Sequence, residues 1–174
     1  IQVGGTEISK EDWAAGVEVV AEAVKRVQEK MPDRQLVTFD ILTALGFYIF
    51  REQEVQAQVI EVGLGGTLDS TNVFKTKDCT VITNIGLEHR EILGNTVAEI
   101  AAQKAGIIVA GCPTVMAPQR ESAADVIREV AKERGSALTE VALACNLRRD
   151  SASSDAQSFR IRTPSGGYQI KLPL

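Results

Sequence analysis

Apolar residues recur at steps of three and four between residues 9 and 31. Trp13, Val17, Val20, Val24 and Val27 form one stripe, which predicts an amphipathic helix packed along that stripe. Ser9 offers an N-cap, Glu11 and Asp12 suit the first turn, and Met31-Pro32 stops the helix. Before it, Ile1-Gln2-Val3 and Gly4-Gly5 read as a short hairpin piece. A second helix is predicted over 38–51, where Phe39, Leu42, Gly46, Phe47 and Phe50 share a face. Ala44, Leu45 and Ile49 make it apolar nearly all round, the pattern of a helix buried between layers.

The pattern then changes period. Residues 57–62 (AQVIEV) form a short β-branched run, read as a strand buried on both faces of a sheet. Residues 80–85 (TVITNI), 113–117 and 137–141 read as three further strands. Between them lie helices over 96–108, with Thr96 and Glu99 as a capping box, and over 122–134, closed by Gly135. This alternation predicts an α/β fold: a doubly wound, mainly parallel sheet flanked by helices. Residues 148–158 are rich in Ser and Asp and read as a loop. Residues 158–162 and 168–172 alternate around Pro164-Ser165-Gly166-Gly167, a C-terminal antiparallel hairpin.

Three polar residues stand where apolar ones are expected. Glu61 sits inside the 57–62 run, and a buried carboxylate is costly unless a cation or donor meets it. It falls at a strand's carboxyl end, where open α/β sheets bind ligands, although an arginine or backbone donors would satisfy it equally. His89, the single histidine, follows the second strand and is open to a structural or a catalytic reading. Lys104 lies on the apolar seam of helix 96–108 with Ile100 and Ile108 at i±4, so it either snorkels or meets a partner from elsewhere. The glycines of 63–66 fit neither nucleotide fingerprint: Gly63-x-Gly65-x-x-Leu68 lacks the third small residue, and no Gly-Lys-Ser/Thr follows.

Composition narrows the classes. A length of 174 residues at 44% hydrophobic suits a single domain over 1–174 with a real core. A net charge of −4 gives no footprint for nucleic acid or an anionic membrane. Cys79, Cys112 and Cys145 are scattered and odd in number, which fits reduced thiols in a cytoplasmic protein. The chain opens at Ile1 without an initiator methionine, so a piece of a longer chain is expected.

The runs EVGLGGTLDSTNV (61–73), VITNIGLEHREILGNT (81–96) and EIAAQKAGII (99–108) resemble the central ATPase domain of the Mur-ligase superfamily. The nearest branch is folylpolyglutamate synthase/dihydrofolate synthase. The resemblance extends to residues 1–13, to Thr38-Phe39-Asp40-Ile41-Leu42-Thr43, and to residues 170–174. It implies an ATP-dependent ligase joining L-glutamate to a folate or related pterin acid through an acyl phosphate. It further implies Mg²⁺ held by Glu61 and His89, with Lys104 carrying a carbamate as a third ligand and His89 and Lys104 as catalytic residues. Phe39, Asp40, Leu68 and Asp69 would face the acid substrate. Asp40 also has a plain reading as first-turn dipole compensation. The family's phosphate-binding P-loop and its C-terminal domain match nothing in these residues. Thr67 stands where the family usually has arginine, Glu88 where it has aspartate, and Gln103 where it has glutamate. A peptidoglycan-type Mur ligase is the alternative enzyme, and a non-catalytic ligand- or partner-binding remnant the alternative class.

Overall fold

The structure, a computed structural model, describes residues 1–173. Leu174, the last residue of the resembling stretch 170–174, lies outside the described residues. In chain order the elements are β1 (Gln2–Val3), β2 (Thr6–Glu7), α1 (Lys10–Lys30), α2 (Thr38–Glu52), β3 (Thr80–Ile82), α3 (Arg90–Leu93) and α4 (Val97–Ala105). They continue as β4 (Thr114–Met116), α5 (Glu121–Glu133), β5 (Leu138–Glu140), α6 (Val141–Ala144), β6 (Asn146–Ala152), β7 (Ala156–Thr163) and β8 (Gly166–Pro173). The chain forms two compact units: Ile1–Gly63 with Asp69–Val73, and Leu64–Leu68 with Phe74 onward.

In the first unit, β1 and β2 form the expected hairpin, with Gly4 and Gly5 at φ +59° and +81° in its turn. Ser9 caps α1 by accepting the Asp12 N–H at 2.9 Å. The helices α1 and α2 pack through Val20, Leu45 and Ile49, joined by Ile8, Val24, Ile41 and Tyr48. Gly16 makes the close approach: a Cβ there would come within 2.7 Å of Leu45 Cδ1. The expected apolar stripe is thus buried only in part. Trp13 and Val17 remain 41% and 42% exposed, because α2 covers α1 along Gly16 and Val20 and not along the whole stripe. Likewise α2 is fully buried only at Leu45 and Ile49, not on nearly all sides.

Residues 57–62 belong to none of the three sheets, and Val59 is fully exposed at 101%. A strand exists only by pairing, and among the described residues no strand pairs with this run. The expectation of a buried strand there is corrected accordingly.

In the second unit, β3, β4 and β5 form a parallel sheet in that order, with Thr80, Thr114 and Leu138 in register. The helices α4 and α5 cover it. Their alanines (Ala101, Ala105, Ala123, Ala124 and Ala131) let the backbones approach, and Ile82, Ile85, Ile100, Ile108, Met116 and Ile127 fill the centre. Parallel strands need helical crossovers, which is why the βαβα pattern of the sequence translates directly into this layer.

The C-terminal hairpin β7–β8 forms as expected and gains a third strand. Residues 146–152, read from their Ser and Asp content as loop from 148 on, pair with β7 as β6. The pairing survives this composition because Asp150 sits at the register shift between Arg149 and Ser151 and binds Arg160 through two bonds of 2.7 and 2.8 Å. Fold class is therefore mixed α/β, with a parallel three-stranded sheet and an antiparallel three-stranded one.

Candidate active-site residues

In the second unit, the chain leaving β3 is held against the chain leaving β4. The Gln119 side chain accepts the Ile85 N–H at 2.9 Å and donates to Thr83 O at 2.7 Å, while Asn84 Nδ2 donates to Pro118 O at 2.8 Å. This clamp delivers His89, which sits at φ +47° as the N-cap of α3, its carbonyl accepting the Ile92 and Leu93 N–H groups at 2.9 Å each. A left-handed backbone at a residue with a Cβ costs about 1 kcal/mol and marks an enforced geometry. The far side is fixed by Glu99, whose Oε2 accepts the Asn95 and Thr96 N–H groups at 2.6 and 3.0 Å. Thr96 Oγ1 accepts the Glu99 N–H in return, completing the expected capping box. The imidazole is thus exposed on a turn braced at both ends.

Lys104, in the last turn of α4, is partly buried, and its Nζ lies 3.0 Å from Glu88 Oε1. The seam lysine therefore does have an acidic partner, supplied from the loop before α3 and invisible to an i±4 search. The Lys104 ammonium beside Glu88 holds that carboxyl below the usual carboxylate range.

Gly66 and Thr67 press on the carbonyl end of the same helix. A Cβ on Gly66 would meet Gln103 O at 2.7 Å and Lys104 O at 3.0 Å. The Thr67 N–H donates to Gln103 O at 3.0 Å and its hydroxyl to the same oxygen at 3.2 Å. Thr67, in the place of the resembling family's arginine, is thus engaged with the helix end that carries Lys104. Leu68, the following residue, is 92% exposed.

In the first unit, Glu61 is exposed, so it needs none of the pairing that a buried carboxylate would. With Phe39, Phe47, Phe50, Ile60 and Thr71 it lines a cavity of about 190 Å³ along α2. Phe39 lies over Gly63, where an added Cβ would come 2.6 Å from its Cζ. Asp40 closes the N-terminus of α2 by accepting the Val37 N–H at 2.9 Å, and its second oxygen accepts the Ser70 hydroxyl. First the Ser70 hydroxyl and then the Val37 N–H hold its carboxyl below the ordinary value. Asp69 turns inward on its own loop, Oδ1 accepting the Thr71 N–H at 2.9 Å.

Among the described residues no three His, Cys, Asp or Glu side chains stand together as a ready metal cage. Glu61 offers the oxygen chemistry that magnesium prefers, and His89 a less usual nitrogen. Lys104, as an ammonium bound to Glu88, does not fit a cation site in this state. Ser70, Gln119 and the Glu88 partnership were not anticipated. Each acts across 16 to 36 residues of sequence, where no periodic signal links donor to acceptor.

No protein-family model matches the chain. The dihydrofolate synthase/folylpolyglutamate synthase of Bacillus subtilis is 38% identical over 170 residues, which is 97% of this chain and 39% of that protein. The apo form of the L. casei folylpolyglutamate synthase superposes with a TM-score of 0.90 at 31% identity, covering 99% of this chain and 42% of that one. An FPGS–AMPPCP–folate complex matches with a TM-score of 0.83 at 32% identity, over 92% of this chain and 39% of that one. The chain thus spans about two fifths of the length of the relatives it matches. Over nearly its whole length the chain is similar to the folylpolyglutamate/dihydrofolate synthases, a branch of the Mur-ligase superfamily.

Proposed function

We propose that these residues form the central part of an ATP-dependent ligase that adds glutamate to a folate-type acid. The observation that carries this reading is sequence similarity over nearly the whole chain: 38% identity across 97% of it. In the proposed reaction a carboxylate oxygen of the acid takes the γ-phosphoryl group of ATP, giving an acyl phosphate and ADP. The glutamate amine then attacks the acyl carbon, phosphate leaves with the C–O bond pair, and the amine loses a proton to give the amide. Phosphoryl transfer of this kind depends on positioning and on charge stabilisation at the phosphates.

The proposal assigns Phe39, Leu68 and Asp69 to contact with the acid substrate, with Asp40 part of the same site at the start of α2, and Glu61, His89 and Lys104 to magnesium. Bound magnesium would screen the charge on the transferred phosphoryl group. Lys104 joins that set only as a carbamate, formed when its neutral amine adds to carbon dioxide and releases a proton. For that, the bond to Glu88 must first open. The 174 residues hold no Gly-Lys-Ser/Thr phosphate loop, so alone they are assigned no turnover. A cytoplasmic location belongs to the same reading and is supported by three free thiols.

The test is an assay of the complete gene product for ATP- and glutamate-dependent extension of folate and pteroate acceptors, read as ADP release and a product heavier by one glutamyl residue. Extension by the complete product with none from the 174 residues is the expected result. A folded, nucleotide-binding complete product that extends no folate or pteroate acceptor overturns the reading.

A further inference from the structure

The first turn of α2 touches the chain at two places outside the helix. Phe39 lies over Gly63, and Asp40 reaches Ser70, thirty residues away. Both Asp40 oxygens are spent on structure: Oδ2 on the Val37 N–H at 2.9 Å, Oδ1 on the Ser70 hydroxyl. Beyond Ser70 the loop is folded on itself. Asp69 Oδ1 holds the Thr71 N–H and hydroxyl, the Asn72 N–H donates to Asp69 O at 2.9 Å, and Thr71 is buried. A serine hydroxyl shared with a carboxylate is a charge-assisted bond, stronger than a neutral one. It ties this loop to the first turn of α2.

We infer that Asp40 is a positioning residue, which acts through the Ser70 hydroxyl to fix the loop of residues 69–72 and so sets affinity for the acid substrate without touching it. This deepens the functional reading above and rests on it. A ligand-reading carboxylate would keep an oxygen turned toward its ligand, whereas this one is clasped on both sides by the protein. The Ser70 hydroxyl and the Val37 N–H hold the Asp40 carboxyl below its ordinary value, which agrees with an ionised latch. The clasp specifies a two-residue requirement: a carboxylate at 40 and a hydroxyl at 70.

The test compares Ser70→Ala, Asp40→Asn and Ser70→Thr in the complete gene product, by amide hydrogen exchange and by steady-state kinetics. Losing one charge-assisted bond is worth roughly a tenfold change. In Ser70→Ala, exchange at the Thr71 and Asn72 amides is expected to rise about tenfold, and KM for the folate acceptor to rise by a similar factor. The value of kcat and KM for ATP stay unchanged. Ser70→Thr keeps the hydroxyl and is expected to keep both properties. Asp40→Asn supplies a second variant of nearly the same shape, should Ser70→Ala fold poorly. Faster exchange with an unmoved KM overturns the positioning role, and a raised KM without faster exchange places Ser70 itself on the substrate and overturns it too. A wild-type protein without ligase activity refutes the functional reading. Exchange unaltered by Ser70→Ala refutes the clasp, whatever the activity.

Discussion

Lys104 Nζ and Glu88 Oε1 lie 3.0 Å apart, joining the last turn of α4 to the loop that carries His89. The pair is half in solvent on the Glu88 side, so its contribution to stability is small and salt-sensitive. Its chemical consequence is larger. An ammonium held by a carboxylate is the wrong species to add carbon dioxide, and a carbamate in its place would face Glu88 as a like charge. In bicarbonate without added metal, carbon-13 NMR is expected to show no carbamate on this chain. Glu88→Gln removes the competing anion and is expected to be the variant in which the carbamate signal first appears. A carbamate on the unmodified, metal-free chain would show that the Glu88 bond does not govern Lys104.

The same pair gives a pH prediction. Lys104 lowers the pKa of Glu88 in the folded state. A depressed carboxylate pKa stabilises the fold above the unfolded value, about 4.3, and the benefit is lost as pH falls through the folded value below it. The pair is therefore intact at pH 7 and through pH 5. NMR titration of the Glu88 side-chain carboxyl should give a midpoint below the ordinary range, and Lys104→Met should return it toward that range. A midpoint unmoved by Lys104→Met would contradict the assignment of the shift to the pair.

Much of this architecture was legible from local pattern. Ser9, Thr96 with Glu99, and Gly135 mark helix ends by short-range chemistry, and the cores of α4 and α5 follow a 3.6-residue period. Residues 57–62 show what pattern cannot supply. Their β-branched content reports a preference for pairing, but pairing needs a partner, and Val59 has none among the described residues. The hydrophobic stripe of α1 is similar: Trp13 and Val17 satisfy the periodicity but stay exposed, while Gly16, Val20 and Val24 pack in the core with α2. For the candidate site, the pattern predicts strand-end positions for both Glu61 and His89; His89 follows β3, whereas Glu61 lies on a run that pairs with no strand among the described residues. The clasp of Asp40 with Ser70 and the clamp at Gln119 depend on tertiary meetings that no spacing encodes.

Gly66 tests how tightly the loop is seated on α4. Its missing Cβ would collide with two backbone carbonyls, Gln103 O and Lys104 O, which cannot rotate away as a side chain could. Gly66→Ala should therefore force the loop off the helix end and break the Thr67 bond to Gln103 O. Overpacking of this kind costs about 1–3 kcal/mol. Urea denaturation of the chain is the measurement, with Gly86→Ala as the control, since a Cβ at Gly86 meets nothing within 4 Å. Equal stabilities for the two variants would mean the loop yields freely.

Leu45→Ala probes the first unit. Leu45 is 2% exposed and packs with Val20 and Ile49 in a core of only three buried side chains. Truncating a buried leucine costs about 2–5 kcal/mol. Against so small a core the loss should appear as a separate, earlier transition of α1 and α2, seen in hydrogen exchange at their amides before those of α4 and α5. Simultaneous loss of protection in both helix pairs would show one cooperative system instead.

His89 allows stability and function to be set against each other. Its φ of +47° places a β-carbon in the left-handed region, where glycine carries no penalty and other residues cost about 1 kcal/mol. The turn is held there from both sides, by Gln119 on Ile85 and Thr83 and by Glu99 on Asn95 and Thr96. His89→Gly should therefore relieve strain and raise stability by several tenths of a kcal/mol, after the entropy glycine adds to the unfolded chain is subtracted. His89→Ala keeps the strain and should fall below His89→Gly in the same denaturation series. Both substitutions remove the imidazole, and both should lower the ligase rate of the complete gene product by orders of magnitude if that ring holds the metal. The two readouts separate the roles. A glycine variant that is more stable and inactive identifies a residue held under strain for its side chain. One that is more stable and fully active reduces His89 to a turn residue and removes it from the proposed metal set.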